Sequence, residues 1–376
     1  MKKNILILFV LLTTIVITIV SCKKDDDEET NIFESEISII MDNAISQTGV
    51  AGAAVYSVNK EGDIAWLANG LMNTSSNTPM QRDTKFRIAS ISKTFLATVV
   101  LQLMEQGDVS LDQSYSNYLP DSVVNLFPYD GQATIMQLLN HTSGIYDFED
   151  DQFEEILFSD LLKQWTPWEL LNYTSTADSA VFYPPGTKYG YSNTNYILLG
   201  LIVETVTNKS MEQNIRDGVI TPLNLANTFS WEEGIPENNY ATGYMPLPDG
   251  SFMVVDDQTV PLYFEWGHGQ MISTVKDLFT YYNALLQGNL FTNISTLELM
   301  ETGSPLSENS SSGLGLHLYH NEFGMGHSGS TAGFISVATI NPQTGTTLIL
   351  CFNQYNDDVM SLVAGGFLDL VFNEEK

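Results

Sequence analysis

The sequence predicts a mixed α/β fold (α+β), with one sheet and a helical subdomain that is inserted into the chain. Segments with the residue pattern of strands lie near both ends of the chain, whereas about 111–261 is rich in short helices and Pro/Gly turns. With 376 residues, of which 43% are hydrophobic, the chain can bury one large core or two smaller ones. We therefore expect one sheet built from both termini.

The first elements of this fold are a helix and two strands. Apolar residues at helical spacing predict a helix over 32–47 that packs on the core. Strands are expected at 50–58 and 64–68, and the polar residues 59–62 form the turn between them. An apolar helix over 95–106 follows and ends before the next glycine.

The second part of the sheet comes from the C-terminal region. A helix begins near Thr274, whose hydroxyl can cap its first backbone N–H groups. Strands at 333–340 and 346–353 flank a turn, and an amphipathic helix over 359–372 closes the chain. Cys351 lies in an apolar run, so we expect a buried small hydrophobe and no disulfide in the mature fold.

The charge of the chain excludes one class of partner. There are 45 Asp and Glu residues against 15 Lys and Arg residues, which gives a net charge of −30. So few cations cannot form the basic patch that nucleic acid requires. The acidity indicates an exposed, soluble surface, and repulsion of anionic substrates or membranes is the alternative.

The N-terminus has the pattern of an export signal. Two lysines precede the apolar run 5–20, and residues 19–22 (IVSC) resemble the lipobox of bacterial lipoproteins. We therefore expect residues 1–21 to be a signal peptide and Cys22 to carry the lipid. An uncleaved membrane anchor is the alternative, but the run is shorter than the roughly 20 apolar residues of a span.

An acidic segment, KKDDDEET, follows the predicted lipidation site. We expect residues 22–33 to form a solvated tether and residues 34–376 to form the folded domain. Two acyl chains on Cys22 would anchor the protein to a bacterial membrane in the cell envelope, for which we expect the outer membrane. Whether the domain faces the periplasm or the cell surface stays open, and we expect a monomer.

Ser90 and Lys93 form the first motif that carries chemistry, an SxxK pair where an extended segment turns into a helix. Residues three apart on a helix share a face, so the lysine amine can reach the serine hydroxyl. Free backbone N–H groups at the helix start favour the negative charge that develops during attack. Burial beneath the apolar helix would lower the pKa of Lys93 and make it a usable base.

The SxxK pattern occurs four times, so the motif alone is not specific. The other three are Ser21/Lys24 at the predicted signal cleavage site, Ser57/Lys60 at a strand end, and Ser273/Lys276 at a helix cap. Only Ser90 precedes a long apolar helix that can bury the lysine. We therefore predict Ser90 as the nucleophile.

Tyr191 and Asn193 form the second motif, YSN, in a loop rich in proline and glycine. In an extended loop, residues two apart point the same way, so both side chains can enter one cleft. The phenol can relay a proton to the leaving group, and the amide can bond the substrate's own amide. Similar patterns lie in a surface turn at 115–117 and outside such a loop at 319–321.

The third motif is His327-Ser328-Gly329, which leads into Ser330 and a predicted strand. Because Gly329 has no side chain, a substrate can lie against the strand, and we expect His327, Ser328 and Gly329 to bind it. The backbone N–H groups of Ser90 and Ser330 are the two candidate donors of an oxyanion hole.

The order SxxK, YxN and [KH]-[ST]-G resembles the signature of the penicillin-binding protein and β-lactamase superfamily. The segments 86–90 (FRIAS), 138–144 (LLNHTSG) and 191–196 (YSNTNY) are similar to its class C β-lactamase and DD-peptidase branch. The likeness runs from about residue 34 to the end. It implies the β-lactamase/transpeptidase-like fold, in which helices sandwich an antiparallel sheet and an all-helical subdomain is inserted. It also implies an active site between the sandwich and the helical subdomain, a covalent acyl-enzyme, and no metal or other cofactor.

One departure from the class C pattern concerns His327. Class C β-lactamases have a lysine here that helps to bind the substrate carboxylate, and a neutral histidine gives a weaker anion site. Histidine after a YSN motif is closer to DD-carboxypeptidases, D-amino-acid amidases and some esterases of the branch. No glutamate is placed like the deacylating acid of class A enzymes. We interpret His141 and His268 as structural, because a histidine in a loop usually bonds backbone.

The sequence thus favours a serine hydrolase that acts on D-amino-acid peptides, such as a D-Ala-D-Ala carboxypeptidase. An esterase or β-lactamase with a small ester or lactam substrate is the first alternative. A binding lipoprotein with an idle site is the second, although all three motifs are intact. Whether Lys93 or Tyr191 is the general base stays open. If His327 contacts a substrate carboxylate, we expect binding to weaken as the imidazolium deprotonates near pH 6.5.

Overall fold

The computed structural model describes residues 32–129, 131–177, 182–231, 234, 238–247, 249–256, 263–319, 324–356, 358–359, 366 and 370–371 of the chain. The predicted signal peptide at 1–21, the predicted lipidation site Cys22 and most of the predicted closing helix lie outside these residues. Among the residues described, no helix has the length and apolar character needed to cross a membrane.

Helices cover the sheet and fill most of the middle of the chain. Those of the described residues are α1 (Ile32–Thr48), α2 (Ser92–Gln106), α3 (Asp121–Val124), α4 (Ile135–Leu139), α5 (Asp151–Ser159), α6 (Pro167–Thr176), α7 (Thr194–Thr207), α8 (Met211–Ile215), α9 (Thr221–Leu223), α10 (Val275–Leu286) and α11 (Ile294–Met300). The tether predicted over 22–33 therefore ends too late, because the helix already starts at Ile32 and buries Phe33. The hydroxyl of Thr274 accepts a hydrogen bond from the Asp277 N–H and caps α10 as predicted.

Strands from both ends of the chain form one main sheet. The strands are β1 (Gly52–Val58), β2 (Ile64–Asn73), β3 (Thr78–Pro79), β4 (Phe86–Arg87), β5 (Phe229–Ser230), β6 (Gly243–Pro246), β7 (Phe252–Val255), β8 (Met271–Ser273), β9 (His317–Leu318), β10 (Met325–Thr331), β11 (Phe334–Ile340) and β12 (Thr347–Phe352). Seven of them pair antiparallel in the order β3-β2-β1-β12-β11-β10-β9. The pairing of β1 with β12 confirms the prediction that the two termini build one sheet.

Both faces of the sheet are buried. Successive residues of a strand point to opposite faces, so each strand contributes side chains to two separate cores. Val55 of β1 packs with Leu350 and the buried side of α1, whereas Tyr56 belongs to the larger core on the other face. There the ring of Phe279, from α10, stacks on Tyr56 with centroids 4.4 Å apart. Cys351 is fully buried in the larger core, as predicted. These two layers are the predicted helical sandwich.

The predicted all-helical insertion at about 111–261 contains α3 to α9 but also three short strands. β5 pairs with β8, which also pairs with β4, and β6 and β7 form a hairpin. Strands of two to four residues carry too little alternation to be recognised, and the partners of β5 lie far away along the chain. The small sheet positions the site, because β4 leads directly to Ser90.

Candidate active site

Ser90 lies on a 3₁₀ turn, Ala89–Ile91, that continues into α2. Ala89 has a φ of 46°, a left-handed conformation that costs an alanine about 1–2 kcal/mol. Neighbouring elements fix this backbone: the N–H of Ile88 donates to the Met271 carbonyl, and the Ser336 hydroxyl donates to the Ile88 carbonyl. The serine is thus presented on a strained turn that the surrounding sheet holds in place.

Lys93 is completely buried and points at the Ser90 hydroxyl. Its Nζ donates to Ser90 Oγ at 2.8 Å and to the carbonyl of His268 at 3.0 Å. Burial lowers the pKa of Lys93 to about 8, although the carboxylates of Glu149 and Asp147 act in the opposite direction. The sequence-based expectation of a buried lysine with a lowered pKa is therefore confirmed.

The competing SxxK pairs do not form such a contact. Ser57 donates its hydroxyl hydrogen bond to the Thr347 carbonyl within the sheet. The Lys276 amine donates to the Tyr56 hydroxyl and lies over that ring. Ser21 and Lys24 lie outside the described residues. Among the described pairs, only Ser90 and Lys93 bond each other.

Tyr191 reaches Ser90 from the helical side of the site. Its hydroxyl donates to Ser90 Oγ at 3.1 Å, so the same oxygen accepts from Tyr191 and from Lys93. Burial raises the pKa of Tyr191 well above its usual value. The structure thus brings the three predicted catalytic residues together at one oxygen atom.

His141 packs against the ring of Tyr191. Its ring stacks on the Tyr191 ring with centroids 4.3 Å apart, and its Nδ1 accepts a hydrogen bond from the Ser192 N–H. Burial, followed by the charge of Lys93, lowers the pKa of His141 well below its usual value, so the ring is a neutral acceptor. This agrees with the structural role that we predicted for it.

Asn193 takes a different environment from the one predicted. It adopts a helical conformation at the start of α7 instead of lying in an extended loop. Its backbone N–H and its Nδ2 both donate to the carboxylate of Asp147, at 3.0 and 3.3 Å. The side chain is only 5% exposed, so it lies in the buried wall of the site.

Strand β10 packs against the turn that carries Ser90, and Gly329 lies close to the backbone of that turn. A Cβ atom at this position would lie 2.3 Å from the Ile88 carbonyl oxygen and 3.1 Å from the Ala89 Cβ. The chain's own backbone therefore requires the glycine. That His327, Ser328 and Gly329 bind the substrate stays a prediction. Ser328 is half-buried and Ser330 is exposed beside this contact.

His327 is buried and neutral. Its Nδ1 lies 2.6 Å from the Ser328 carbonyl, and its ring stacks on His317. Burial, with additional effects of His317 and Lys93, lowers the pKa of His327 well below its usual value. The lowered pKa argues against the ordinary pKa near 6.5 on which the expected pH dependence of binding rests, and that dependence stays a prediction. His317 itself was missed, because only the pairing of Gly326 with it in β9 brings it to the site.

Three acidic residues around Lys93 were also missed by the sequence analysis. Burial raises the pKa of Asp147 to about 6 and that of Glu265 to about 7. Glu265 is 5% exposed and accepts a hydrogen bond from the Thr331 hydroxyl, next to Ser330. Glu149 lies 3.6 Å from a ring nitrogen of the buried His268. The acidic residues within the apolar segments YDFED and FEWGH were the available signal.

A cavity of about 480 Å³ opens beside Ser330. Two of its lining carboxylates are Glu149 and Glu265. Its apolar wall comes from α5, the segment after it and the β6–β7 hairpin, through Phe153, Leu157, Phe158, Leu161, Met245 and Met253. Among the described residues that line it, none is a lysine or an arginine. The cavity therefore combines acidic side chains with an apolar surface, and burial raises the pKa of Glu265 to about 7 and that of Glu149 to about 8.

Comparisons with known proteins identify a family, a relative and similar solved structures. A profile of the family described as Beta-lactamase matches residues 37–365. Penicillin-binding protein 4 of Amycolatopsis lactamdurans is 26% identical over 325 residues, which cover 81% of each chain. A D-stereospecific amidohydrolase from Streptomyces sp. has a similar structure, with a TM-score of 0.75, 30% identity, and coverage of 89% of this chain and 98% of that one.

A second solved structure is also similar. The D-amino acid amidase from Ochrobactrum anthropi SV3, in complex with D-phenylalanine, superimposes with a TM-score of 0.74 at 27% identity. The match covers 88% of this chain and 97% of that one.

Proposed function

We propose, since the chain belongs to the Beta-lactamase family, that this serine hydrolase cleaves amide bonds of D-amino-acid derivatives through an acyl-enzyme on Ser90. The observation that carries the proposal is the double hydrogen bond to Ser90 Oγ, from Lys93 and from Tyr191. Amide cleavage needs two proton transfers, one that activates the serine hydroxyl and one that protonates the leaving nitrogen. The two residues bonded to Ser90 Oγ provide one group for each transfer.

Acylation starts with neutral Lys93, which takes the proton of the Ser90 hydroxyl as Oγ attacks the carbonyl carbon. The N–H groups of Ser90 and Ser330 stabilise the oxyanion. Tyr191 protonates the leaving nitrogen as the C–N bond breaks, and the Lys93 ammonium returns a proton to Tyr191. Water then repeats the sequence on the ester and releases the acid. Lys93 is the general base in this scheme, because its pKa of about 8 is far closer to neutral pH than that of Tyr191.

The D configuration is supported by the two similar structures, whose names describe a D-stereospecific amidohydrolase and a D-amino acid amidase. The lowered pKa of His327 argues against the β-lactamase alternative, because a neutral imidazole gives less charge for a substrate carboxylate than the lysine of class C enzymes. It does not distinguish an amidase from a DD-carboxypeptidase or an esterase, since a histidine at this position resembles all three. We put amide hydrolysis before the carboxypeptidase, β-lactamase and esterase alternatives because the names of the two similar structures describe amide hydrolysis.

The test compares five substrates with the full-length chain in detergent: D-phenylalaninamide, L-phenylalaninamide, a D-Ala-D-Ala peptide, nitrocefin and a p-nitrophenyl ester. We expect the D-amide to give the highest kcat/KM among the amide and lactam substrates. Ser90→Ala should abolish both turnover and labelling by a fluorophosphonate, while Ser57→Ala and Ser273→Ala retain both. Faster cleavage of the D-Ala-D-Ala peptide or of nitrocefin would overturn the assignment.

We also propose that Cys22 anchors the protein to the outer membrane, after removal of residues 1–21. The lipobox-like sequence and the acidic segment behind it support this proposal. Palmitate labelling of the full-length protein, lost in Cys22→Ala together with membrane retention, is the expected result. Membrane retention without label would indicate an uncleaved anchor instead.

A further inference from the structure

The turn 263–269, which precedes β8, contacts two elements that carry reacting groups. On one side, the carbonyl of His268 accepts a hydrogen bond from Lys93 Nζ at 3.0 Å. On the other side, the carboxyl group of Glu265 accepts a hydrogen bond from the hydroxyl of Thr331, the last residue of β10. One short turn thus joins the lysine of α2 to the end of the strand that contains the candidate oxyanion donor.

We propose that Glu265 is a positioning residue, whose hydrogen bond to Thr331 keeps the Ser330 N–H at a fixed place in the oxyanion hole relative to Lys93. This inference rests on the proposed acyl-enzyme function and adds one residue to its machinery. In this role Glu265 acts on the reaction through β10 and not through a contact with the substrate.

The backbone of the turn is itself held firmly. The N–H groups of His268 and Gly269 both donate to the Glu265 carbonyl, at 3.1 and 2.9 Å. Gly267 has a φ of 87°, and a Cβ atom there would lie 2.8 Å from the Tyr196 carbonyl oxygen in α7. A turn that is closed by its own hydrogen bonds and packed against a helix is a rigid support for the Glu265 side chain.

The end of β10 is the part of the strand that needs such a support. Thr331 pairs with Phe334 at the hairpin turn, where the ladder of β10 and β11 ends. Strand ends open more easily than strand interiors, because fewer hydrogen bonds hold them. On the other side of Ser330, Gly329 already lies against the Ile88 carbonyl. Ser330 therefore lies between two anchored residues, and loss of the Thr331 bond releases one of them.

The bond requires an acceptor at Glu265 and not a fixed charge. Glu265 is 5% exposed and Thr331 is 9% exposed, so little water can replace a lost partner. Burial raises the pKa of Glu265 to about 7, and both protonation states are therefore populated near neutral pH. A carboxyl oxygen accepts from a hydroxyl in either state, so the contact persists as the group titrates.

The experiment separates the acceptor from the charge, with the full-length chain in detergent and D-phenylalaninamide as substrate. Glu265→Gln keeps an oxygen that accepts from Thr331 and should retain most of the kcat. Glu265→Leu has no acceptor, and kcat should fall by roughly 10- to 100-fold with little change in KM, because an oxyanion contact is made in the transition state. Thr331→Val should give the same loss, whereas Thr331→Ser should retain activity. Glu155→Leu, the same change at an exposed position of α5, is the control.

A second measurement reports on the oxyanion hole without turnover. A fluorophosphonate loses fluoride to Ser90 and places a phosphoryl oxygen in the hole, and the phosphorus NMR resonance of this adduct depends on the hydrogen bonds to that oxygen. We expect a shifted resonance in Glu265→Leu and in Thr331→Val, and the wild-type resonance in Glu265→Gln and in Thr331→Ser. A lowered stability alone would not move the resonance of the folded adduct.

The double variant Glu265→Leu/Thr331→Val should be no slower than either single variant, because both changes remove the same bond. If Glu265→Leu does not fold, Thr331→Val and its resonance provide the test. Losses that multiply in the double variant, an equal loss in Glu265→Gln and Glu265→Leu, or a wild-type resonance in every variant would overturn the positioning role. Labelling of Ser90 without turnover of any amide would instead overturn the proposed amidase function, and the resonance would still test Glu265.

Discussion

The imidazole rings of His317 and His327 stack with their centroids 4.0 Å apart and their planes 23° from parallel. Burial, followed by the nearby charge of Lys93, lowers the pKa of His317 to about 4. The pKa of His327 is also lowered well below its usual value. Because both rings lose their protons well below neutral pH, the pair is neutral when the enzyme works, and it offers hydrogen bonding without charge.

The neutral histidine pair predicts how KM depends on pH. Between pH 5.5 and 8, the KM of an anionic D-Ala-D-Ala peptide should follow that of a neutral amide, because neither imidazole changes its charge in this interval. The measurement is the ratio of the two KM values at several pH values. A KM that rises with pH for the peptide alone would show an imidazolium contact at His327.

The lowered pKa of Lys93 predicts an alkaline rise of activity. In the proposed mechanism the neutral amine of Lys93 is the base, and with a pKa of about 8 only about a tenth of it is neutral at pH 7. kcat/KM should therefore increase about tenfold from pH 7 towards pH 9, with an apparent pKa near 8. Lys93→Arg cannot lose its proton and should lower kcat/KM by roughly 10²–10⁴. The exposed Lys209→Met is the control, and an unchanged pH profile in Lys93→Arg would exclude Lys93 as the base.

The Tyr191→Phe variant distinguishes the role of the hydroxyl in proton transfer from the role of the ring in packing. The phenyl ring keeps the stack on His141, so the free energy of unfolding should change by less than about 1 kcal/mol. Loss of the hydroxyl removes the proton donor for the leaving nitrogen, and kcat for amides should fall by roughly 10²–10⁴. A p-nitrophenyl ester, whose leaving group needs no proton, should be affected much less. An equal loss on both substrates would contradict the assignment.

Gly329→Ala tests the contact between β10 and the strained turn. The added methyl group would lie 2.3 Å from the Ile88 carbonyl oxygen, so strand or turn has to move. We expect a loss of about 1–3 kcal/mol in the free energy of unfolding, together with a lower kcat. Ser328→Ala, on the adjacent half-buried position, is the matched control for stability. A Gly329→Ala variant with wild-type Tm and kcat would disprove the close approach.

The sequence was sufficient for the parts of the site that sit in ordered motifs. Ser90, Lys93 and Tyr191 could be predicted because each motif has fixed spacing and flanks. Glu265 and His317 could not, because they reach the site only through the turn before β8 and the pairing of β9 with β10.

The elements of the fold also divide into those that the sequence predicts and those that it does not. The long strands β1 and β12 carry enough alternation to be found, whereas β5 to β7 have two to four residues each. The conformation of Asn193 depends on Asp147, 46 positions earlier, and no local pattern reveals this bond. Contacts between distant segments were therefore the part that sequence periodicity could not supply.

The pairing of β1 with β12 has a consequence for biogenesis. Ala53 lies opposite Phe352, so the centre of the sheet joins segments that are about 300 residues apart. A chain that leaves the ribosome or a translocon N-terminus first holds β1 without its partner until almost all of it has emerged. Pairing between such distant segments raises the contact order, which favours slow folding. A translational stop before Thr347 removes β12 and leaves β1 as an open edge, which is a template for aggregation rather than a smaller enzyme.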